Sequence, residues 1–367
     1  MSPGTNTEMR TILIDQASRL LADHTGKAMI DDVENGTWPE DLWRELETAG
    51  LTRAAVAENH DGAGADFGDA LALVRLAGRY AAPVPLAETL IAGWLLSRSG
   101  IVPPAGPLSF ATGLKTAPLT LKRTGATWSA SGTLYDIPWG RRAGAVIATG
   151  DDGTNGTDGH RLVILPQTVF TVRENANIAG EPRDTIVLEN APLAEDAVRS
   201  MPGDPTGDLG GDALLTLGAL SRAVLIAGAL EHVLEMSVAY ALDREQFGRP
   251  IAKFQAIQQE LAVLAGETAA AGAAADAAIE AVENGRGAFQ IAAAKIRSGE
   301  AASQGTAIAH QVHGAMGFTY EHPLHHLTRR LWAWRDEFGT DADWAIRLGA
   351  LAAGEGGDGL WPLITAS

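Results

Sequence analysis

Along residues 8–100 the apolar positions recur with helical spacing. Alanine and leucine dominate, and Leu42, Trp43, Leu46 and Leu51 follow Asp41 at helical intervals, which predicts helices. The stretch 60–68 carries Gly62, Gly64 and Gly68 with Asp61 and Asp66 and reads as a loop. The helical pattern resumes over 69–100 and is broken at Pro83 and Pro85. Near residue 102 the pattern changes, with Pro103, Pro104 and Pro107 marking a linker or strand entry. From 108 to 200 short β-branched runs alternate with turns rich in Gly, Asp, Asn and Pro. Strands are predicted at 128–135, 145–149, 161–165, 168–172 and 184–188, as in an antiparallel barrel or sandwich. Residues 151–159 resemble a calcium loop only superficially. Gly153 stands at the third ligand position and Leu162 at the twelfth, neither with a side-chain oxygen, so a hairpin tip is expected.

A second linker is expected at 201–210, where Pro202, Gly203, Pro205, Gly207 and Gly210 cluster. Beyond it the helical pattern returns. Residues 214–230 are apolar nearly all round, as in a helix buried within a bundle. Phe254, Ile257, Leu261 and Leu264 mark the core face of the next helix, and an alanine-rich stretch, 268–282, ends at Asn284-Gly285. Further helices are predicted from about 288 to 312 and from about 323. The order helical, β, helical predicts an α+β chain, mostly α, with parts at 1–105, 106–207 and 208–367.

Charge narrows the possible partners. The 367 residues include 28 basic and 45 acidic side chains, a net charge of −17, which argues against nucleic acid and anionic membrane surfaces. With no cysteine, disulfides and thiolate metal sites are excluded. The polar N-terminus lacks the apolar core of a signal peptide. The longest apolar pattern is interrupted by Ser221 and Arg222, so no membrane span and a cytoplasmic location are expected. His322, His325 and His326 have metal-like spacing. Pro323 starts the helix after His322, however, and no metal site is expected there.

Two segments carry chemistry beyond helix packing. Between the first two C-terminal helices stand Arg244, Gln246, Phe247, Gly248 and Pro250. A guanidinium and an aromatic ring at one corner suit a ligand bearing both phosphate and rings. Later, Gln311, His313, Gly314 and Gly317 form a glycine loop whose backbone can approach a phosphate closely. Together they resemble the Arg-x-x-Phe-Gly corner and the Gln-x-x-Gly-x-x-Gly loop of the acyl-CoA dehydrogenase family. The resemblance extends upstream through Trp43, Gly50-Leu51, residues 58–64 and residues 81–89, and is weakest in the middle of the chain.

The resemblance implies an N-terminal helical domain, a middle β-barrel or sandwich and a C-terminal four-helix bundle. It also implies an FAD-dependent oxidoreductase that desaturates an acyl-CoA between its α and β carbons, in fatty acid or steroid degradation, with an electron-transferring flavoprotein as acceptor. Arg244 would pair with the FAD pyrophosphate of a neighbouring subunit, Phe247 would pack beside its adenosine, and Gln246, Gln311, His313, Gly314 and Thr340 would complete the cofactor contacts. Two departures stand out. Residues 108–116 lack the acid and the Gly-Ser-Asp that hold the flavin ring in the family, and Pro138 replaces an expected threonine. The family's catalytic glutamate directly precedes a Gly-Thr pair. Here Phe338 precedes Gly339-Thr340, and Glu337 lies one residue early, about 100° away on a helix. The resemblance therefore points to one chain of a heterotetramer whose homologous partner completes the flavin site and can hold the base, on a bulky ester such as a steroid side-chain CoA. Two other readings stay open: a homotetramer with Glu337 as base, and a non-catalytic scaffold that binds CoA esters.

Overall fold

The computed structural model describes residues 3–111, 117–154, 160–200 and 213–365. The chain divides into two compact units. One holds Met1–Leu20, Asp32–Leu73 and Pro83–Gly218; the other holds Leu21–Asp31, Val74–Ala82 and Ala219–Ser367.

The N-terminal region forms the predicted helices α1 (Pro3–His24), α2 (Lys27–Glu34), α3 (Glu40–Thr48), α4 (Phe67–Arg79) and α5 (Leu86–Arg98). In α3 the predicted apolar face is buried through Leu42, Trp43 and Leu46, while Glu40 and Asp41 favour the positive end of the helix dipole. Pro83 and Pro85 fall between α4 and α5, where a proline costs no helical hydrogen bond. The loop at 60–68 is held by Arg53, whose guanidinium donates to the carbonyls of His60, Asp61 and Pro103. Its turn requires glycine at 62, because a Cβ there would lie 2.0 Å from the Val56 carbonyl oxygen.

The sheet of the first unit contains β1 (Leu108–Phe110), β2 (Leu119–Thr124), β3 (Thr127–Pro138), β4 (Ala145–Asp151), β5 (His160–Pro166), β6 (Thr171–Arg173), β7 (Arg183–Leu193) and β8 (Val198–Ser200). The order is β6-β7-β3-β2-β4-β5-β8, antiparallel except where β1 and β2 share one edge of β4 as parallel partners. Alternation is visible in β2, where Leu119 and Leu121 enter the core and Thr120 and Lys122 face outward. One strand is displaced from its predicted place: residues 167–169 form a 3-10 turn and the strand begins at Thr171. β4 and β5 pair from Ala145 with Pro166 to Asp151 with His160, so the predicted hairpin forms. Of its expected tip at 151–159, residues 155–159 lie outside the described residues, as do 112–116 and the linker at 201–210.

The C-terminal helices are α6 (Ala213–Asp243), α7 (Gln255–Glu283), α8 (Ala288–His313), α9 (Leu324–Asp336) and α10 (Asp341–Thr365, interrupted at Gly356). Every residue from 213 to 230 is buried, as the all-round apolar pattern predicts. The last turns of α4 cross α6 with the backbones in contact. A Cβ on Gly78 would lie 2.1 Å from the Leu225 carbonyl oxygen, and one on Gly228 1.9 Å from that of Arg75. Arg75 then pairs with Glu231 at 2.6 Å and Asp276 at 2.7 Å, and Arg79 with Glu235 at 2.7 Å. Helices α7 and α8 pack through small residues, among them Ala271, Ala275, Ala292 and Ala302, all fully buried. Despite Ser221 and Arg222, α6 and α7 are long and apolar enough to cross a membrane. The apolar window of α6 is wholly buried inside the protein, so a core helix explains its hydropathy.

Candidate functional site

The Arg244–Pro250 corner is a tight hairpin rather than an irregular turn. Glu245-Gln246 pairs antiparallel with Arg249-Pro250, and Phe247 and Gly248 form the tip with φ of 53° and 76°. Positive φ at both central residues is the pattern of a type I′ turn, which favours Asn-Gly and strains a bulky side chain. Phe247 is nevertheless there, 92% exposed, its ring at an edge to that of Phe254, 6.1 Å away. Arg244 and Gln246 are also exposed. The backbone of Arg244 is fixed on both sides, donating to Tyr240 and accepting from Ile251, each at 2.8 Å. The strands thus hold the chain while the side chains at the tip face outward.

The glycine loop lies against the end of α6. Helix α8 stops at Gly314, whose φ of 57° and ψ of −138° suit glycine alone. Gly317 is buried where a Cβ would press on His313, His310 and Leu324 at 3.0–3.2 Å. Tyr240 of α6 stacks on the His313 ring at 4.4 Å, and His322 meets both rings edge-on. This stack joins the corner to the loop. The His313 Nδ1–H donates to the Ala309 carbonyl at 2.8 Å. Burial holds the imidazoles of His310, His313 and His322 below the ordinary histidine pKa, so they are neutral at neutral pH. Arg244, Arg249 and Lys253 carry positive charge at the corner, and Arg329 lines the cavity beside the loop. Gln311 and the Gly314 backbone are exposed. Beside the loop a cavity of about 220 Å³ is lined by His310, Phe318, Tyr320 and Trp332, among others. Of the two tryptophans expected in core or interface, Trp334 is buried, and Trp332 donates to the Thr306 hydroxyl at 2.9 Å. His326 faces Asp31 at 3.1 Å, while His325 bonds back to the His322 carbonyl at 2.7 Å.

Glu337 and Thr340 lie at the other end of the bundle. The eighteen steps of α8 from Lys295 to His313 span about 27 Å at 1.5 Å per residue. Glu337 follows α9 directly, in extended backbone. Its carboxylate accepts from Arg222 Nε of α6 at 2.7 Å, and Arg222 is fully buried while Glu337 is 16% exposed. Phe338, which stands where the family glutamate is expected, has φ of 54° and covers the guanidinium, its ring centre 4.6 Å from the Arg222 Cζ. The Trp344 indole N–H donates to the Phe338 carbonyl at 2.8 Å. Thr340 caps α10. Its hydroxyl accepts from the Asp343 backbone N–H, and the Asp343 carboxylate accepts from the Thr340 backbone N–H. That bond and the Thr340 hydroxyl hold the Asp343 pKa below the usual carboxylate range.

Two residues of this end were missed by sequence reasoning. Arg222 registers only as an interruption of an apolar run. A lone arginine in such a run is itself the signal that a buried anion must face it. Lys295 is also fully buried and carries no comparable signal, because lysine among alanines is common on helix surfaces. Its ammonium donates to the Arg335 carbonyl at 2.5 Å. Burial pushes its pKa down to about 7 against the pull of Glu337, Asp336 and Asp341.

The chain is similar to known proteins in sequence and fold. Residues 7–101 match the acyl-CoA dehydrogenase N-terminal domain and residues 212–342 the acyl-CoA dehydrogenase C-terminal domain. The acyl-CoA dehydrogenase IpdE2 of Mycobacterium tuberculosis is 29% identical over 330 residues, 89% of this chain and 92% of that protein. The structure of a variant of the Tcur3481-Tcur3483 steroid ACAD superposes with a TM-score of 0.83 at 25% identity, over 95% of this chain and 99% of that one. The ChsE4-ChsE5 complex from Mycobacterium tuberculosis shares the fold, with a TM-score of 0.78 at 22% identity over 94% and 97% of the two chains. The chain belongs to the acyl-CoA dehydrogenase family, and acyl-CoA dehydrogenation is its reaction class.

Proposed function

We propose that this chain is one subunit of an FAD-dependent acyl-CoA dehydrogenase that works with a homologous partner chain on a bulky CoA ester, such as a steroid side-chain intermediate. The observation that carries this reading is Phe247, held exposed at a strained backbone position beside the exposed Arg244. A strained residue that packs little against its own chain points to a function outside it. Two of the structural neighbours support the substrate and assembly classes by what they are: a steroid acyl-CoA dehydrogenase and a complex of two chains.

The family is generally FAD-dependent, and the residues at this end suit that cofactor. When bound, FAD supplies the acceptor for the hydride from the β carbon of the thioester. Arg244 would hold the pyrophosphate of the partner's FAD, Phe247 and Gln246 would flank the adenosine, and Gln311 with the backbone of His313-Gly314 would close that contact. Gly314 leaves the approach open, since nothing lies within 4 Å of where a Cβ would stand.

The turn at 336–340 would border the acyl thioester. In this reading Glu337 is not the base, and the partner supplies the carboxylate that takes the α-proton. In support, Glu337 already accepts a charge-assisted bond from a buried guanidinium and lies one residue out of register with Gly339-Thr340. Thr340, engaged in its helix cap, would act on the cofactor only through the placement of this turn. Pro138 at the end of β3 supports a weakened flavin cradle on this chain. The parts 1–105, 106–207 and 208–367, a cytoplasmic location and an electron-transferring flavoprotein as acceptor complete the proposal.

Co-expression with a homologous partner tests it. The complex should be yellow, with one FAD per pair of unlike chains by mass and absorbance, and the lone chain colourless. A lone chain with stoichiometric FAD would support the homotetramer. A complex that never retains flavin would support the scaffold. Turnover of the Glu337→Gln complex should stay within about threefold of the parent; a loss of about 10²–10⁴-fold, typical of a missing general base, would return that role to Glu337.

A further inference from the structure

Lys295 is among the largest fully buried side chains of the protein, and nothing in the reaction as outlined uses it. It points from α8 at the end of α9, where the last carbonyls lack helical partners and the helix dipole is negative. Its ammonium takes one of those carbonyls, that of Arg335. The residues that follow are held from two further helices: Glu337 by Arg222 of α6, and the Phe338 carbonyl by Trp344 of α10. Desolvating an ammonium costs more than its hydrogen bond to one carbonyl returns, and burial outweighs the pull of the nearby carboxylates here. Stability alone therefore gives no reason for a lysine here, whereas a fixed carbonyl one step before the turn does.

We propose that Lys295 is a positioning residue for acyl-CoA dehydrogenation: its buried ammonium clamps the end of α9 and sets where the turn 336–340 stands. This rests on the reading that the turn borders the acyl thioester. Lys295 acts through Arg335 and touches neither substrate nor cofactor. The charged groups that act on it are Arg222 of α6, Asp336 and Glu337 at the end of α9, and Asp341 at the start of α10, with Asp343 close behind. Because burial lowers its pKa to about 7, the clamp is a charge-assisted bond below that pH and an ordinary amine hydrogen bond above it. Positioning is therefore strongest in mild acid and weakens as pH rises through about 7. The effect on folding runs the other way. The unfolded lysine keeps its proton to about 10.5, so the cost of burying the charge is present in full below about 7 and is relieved as pH rises from there.

The test compares Lys295→Met and Lys295→Gln with the parent, in the assembled enzyme, by two measurements. The first is amide deuterium exchange of residues 334–344 without substrate, corrected for intrinsic rates. The second is the pH dependence of kcat and KM. At pH 6 both variants should exchange about tenfold faster and turn over about tenfold more slowly than the parent, with KM within about twofold; at pH 9 both gaps should close to about threefold or less. Unchanged exchange in both variants would overturn the role of Lys295 and leave the proposed function standing. Faster exchange with unchanged turnover would show that the turn does not serve the acyl site, and would overturn the proposal together with that reading. A turnover loss independent of pH, or one confined to KM, would also overturn it. If the methionine variant fails to fold, the glutamine variant, which keeps a neutral donor, provides both measurements.

Discussion

The two ends of the C-terminal bundle treat their polar residues in opposite ways. At the corner and glycine loop, Arg244, Gln246, Phe247 and Gln311 face outward, and Phe247 is held there against its backbone preference. At the far end of α8, Arg222 and Lys295 of two helices hold Glu337 and the Arg335 carbonyl at the end of a third, Thr340 caps α10, and two of these four side chains are fully buried. The first end spends conformational energy on exposure, in keeping with the proposed contact to a ligand or neighbour. The second satisfies its charges internally, as a turn must if it is to keep one position.

The largest effect that separates the two ends concerns Arg222. Replacing Glu337 with leucine leaves a buried guanidinium without its carboxylate and should cost about 3–5 kcal/mol in denaturant unfolding. Replacing both partners, Arg222→Met with Glu337→Leu, should recover most of that loss. A single variant as stable as the parent would erase the contrast. Arg244→Ala should do the reverse: unfolding stability within about 0.5 kcal/mol of the parent, but a flavin affinity in the assembled complex lower by about one to two decades. Full flavin occupancy with unchanged affinity would remove the corner from the site. Thr340→Ala takes away the cap of α10 and should cost about 1 kcal/mol by the same unfolding measurement. The smallest effect is the most discriminating. Phe247→Asn places a residue suited to the type I′ turn and should raise stability by about 0.5 kcal/mol while weakening flavin retention. A loss of stability there would show that the ring packs for the fold and not for a ligand.

Much of this was legible residue by residue. The buried face of α3, the break at Pro83 and Pro85, the all-round burial of α6 and the alternation in β2 follow from periodicity, which depends only on neighbours along the chain. The strand placed at 168–172 began instead at Thr171, because Pro166 leads into a 3-10 turn that short β-branched runs do not announce. The corner and the loop were recognisable as motifs, since each lies within a few consecutive residues. Their union through Tyr240 and His313 was not, because those rings meet only when α6 and α8 pack.

By itself, then, the sequence determined the helices, the β region and the family. The tertiary structure alone decided which charges meet: Arg222 with Glu337 across 115 positions, and Lys295 with the Arg335 carbonyl across 40. The physical reason is that hydrophobic periodicity is a local signal repeated many times along the chain. The partner of a buried charge is a single long-range choice, made by the packing of helices that carry it.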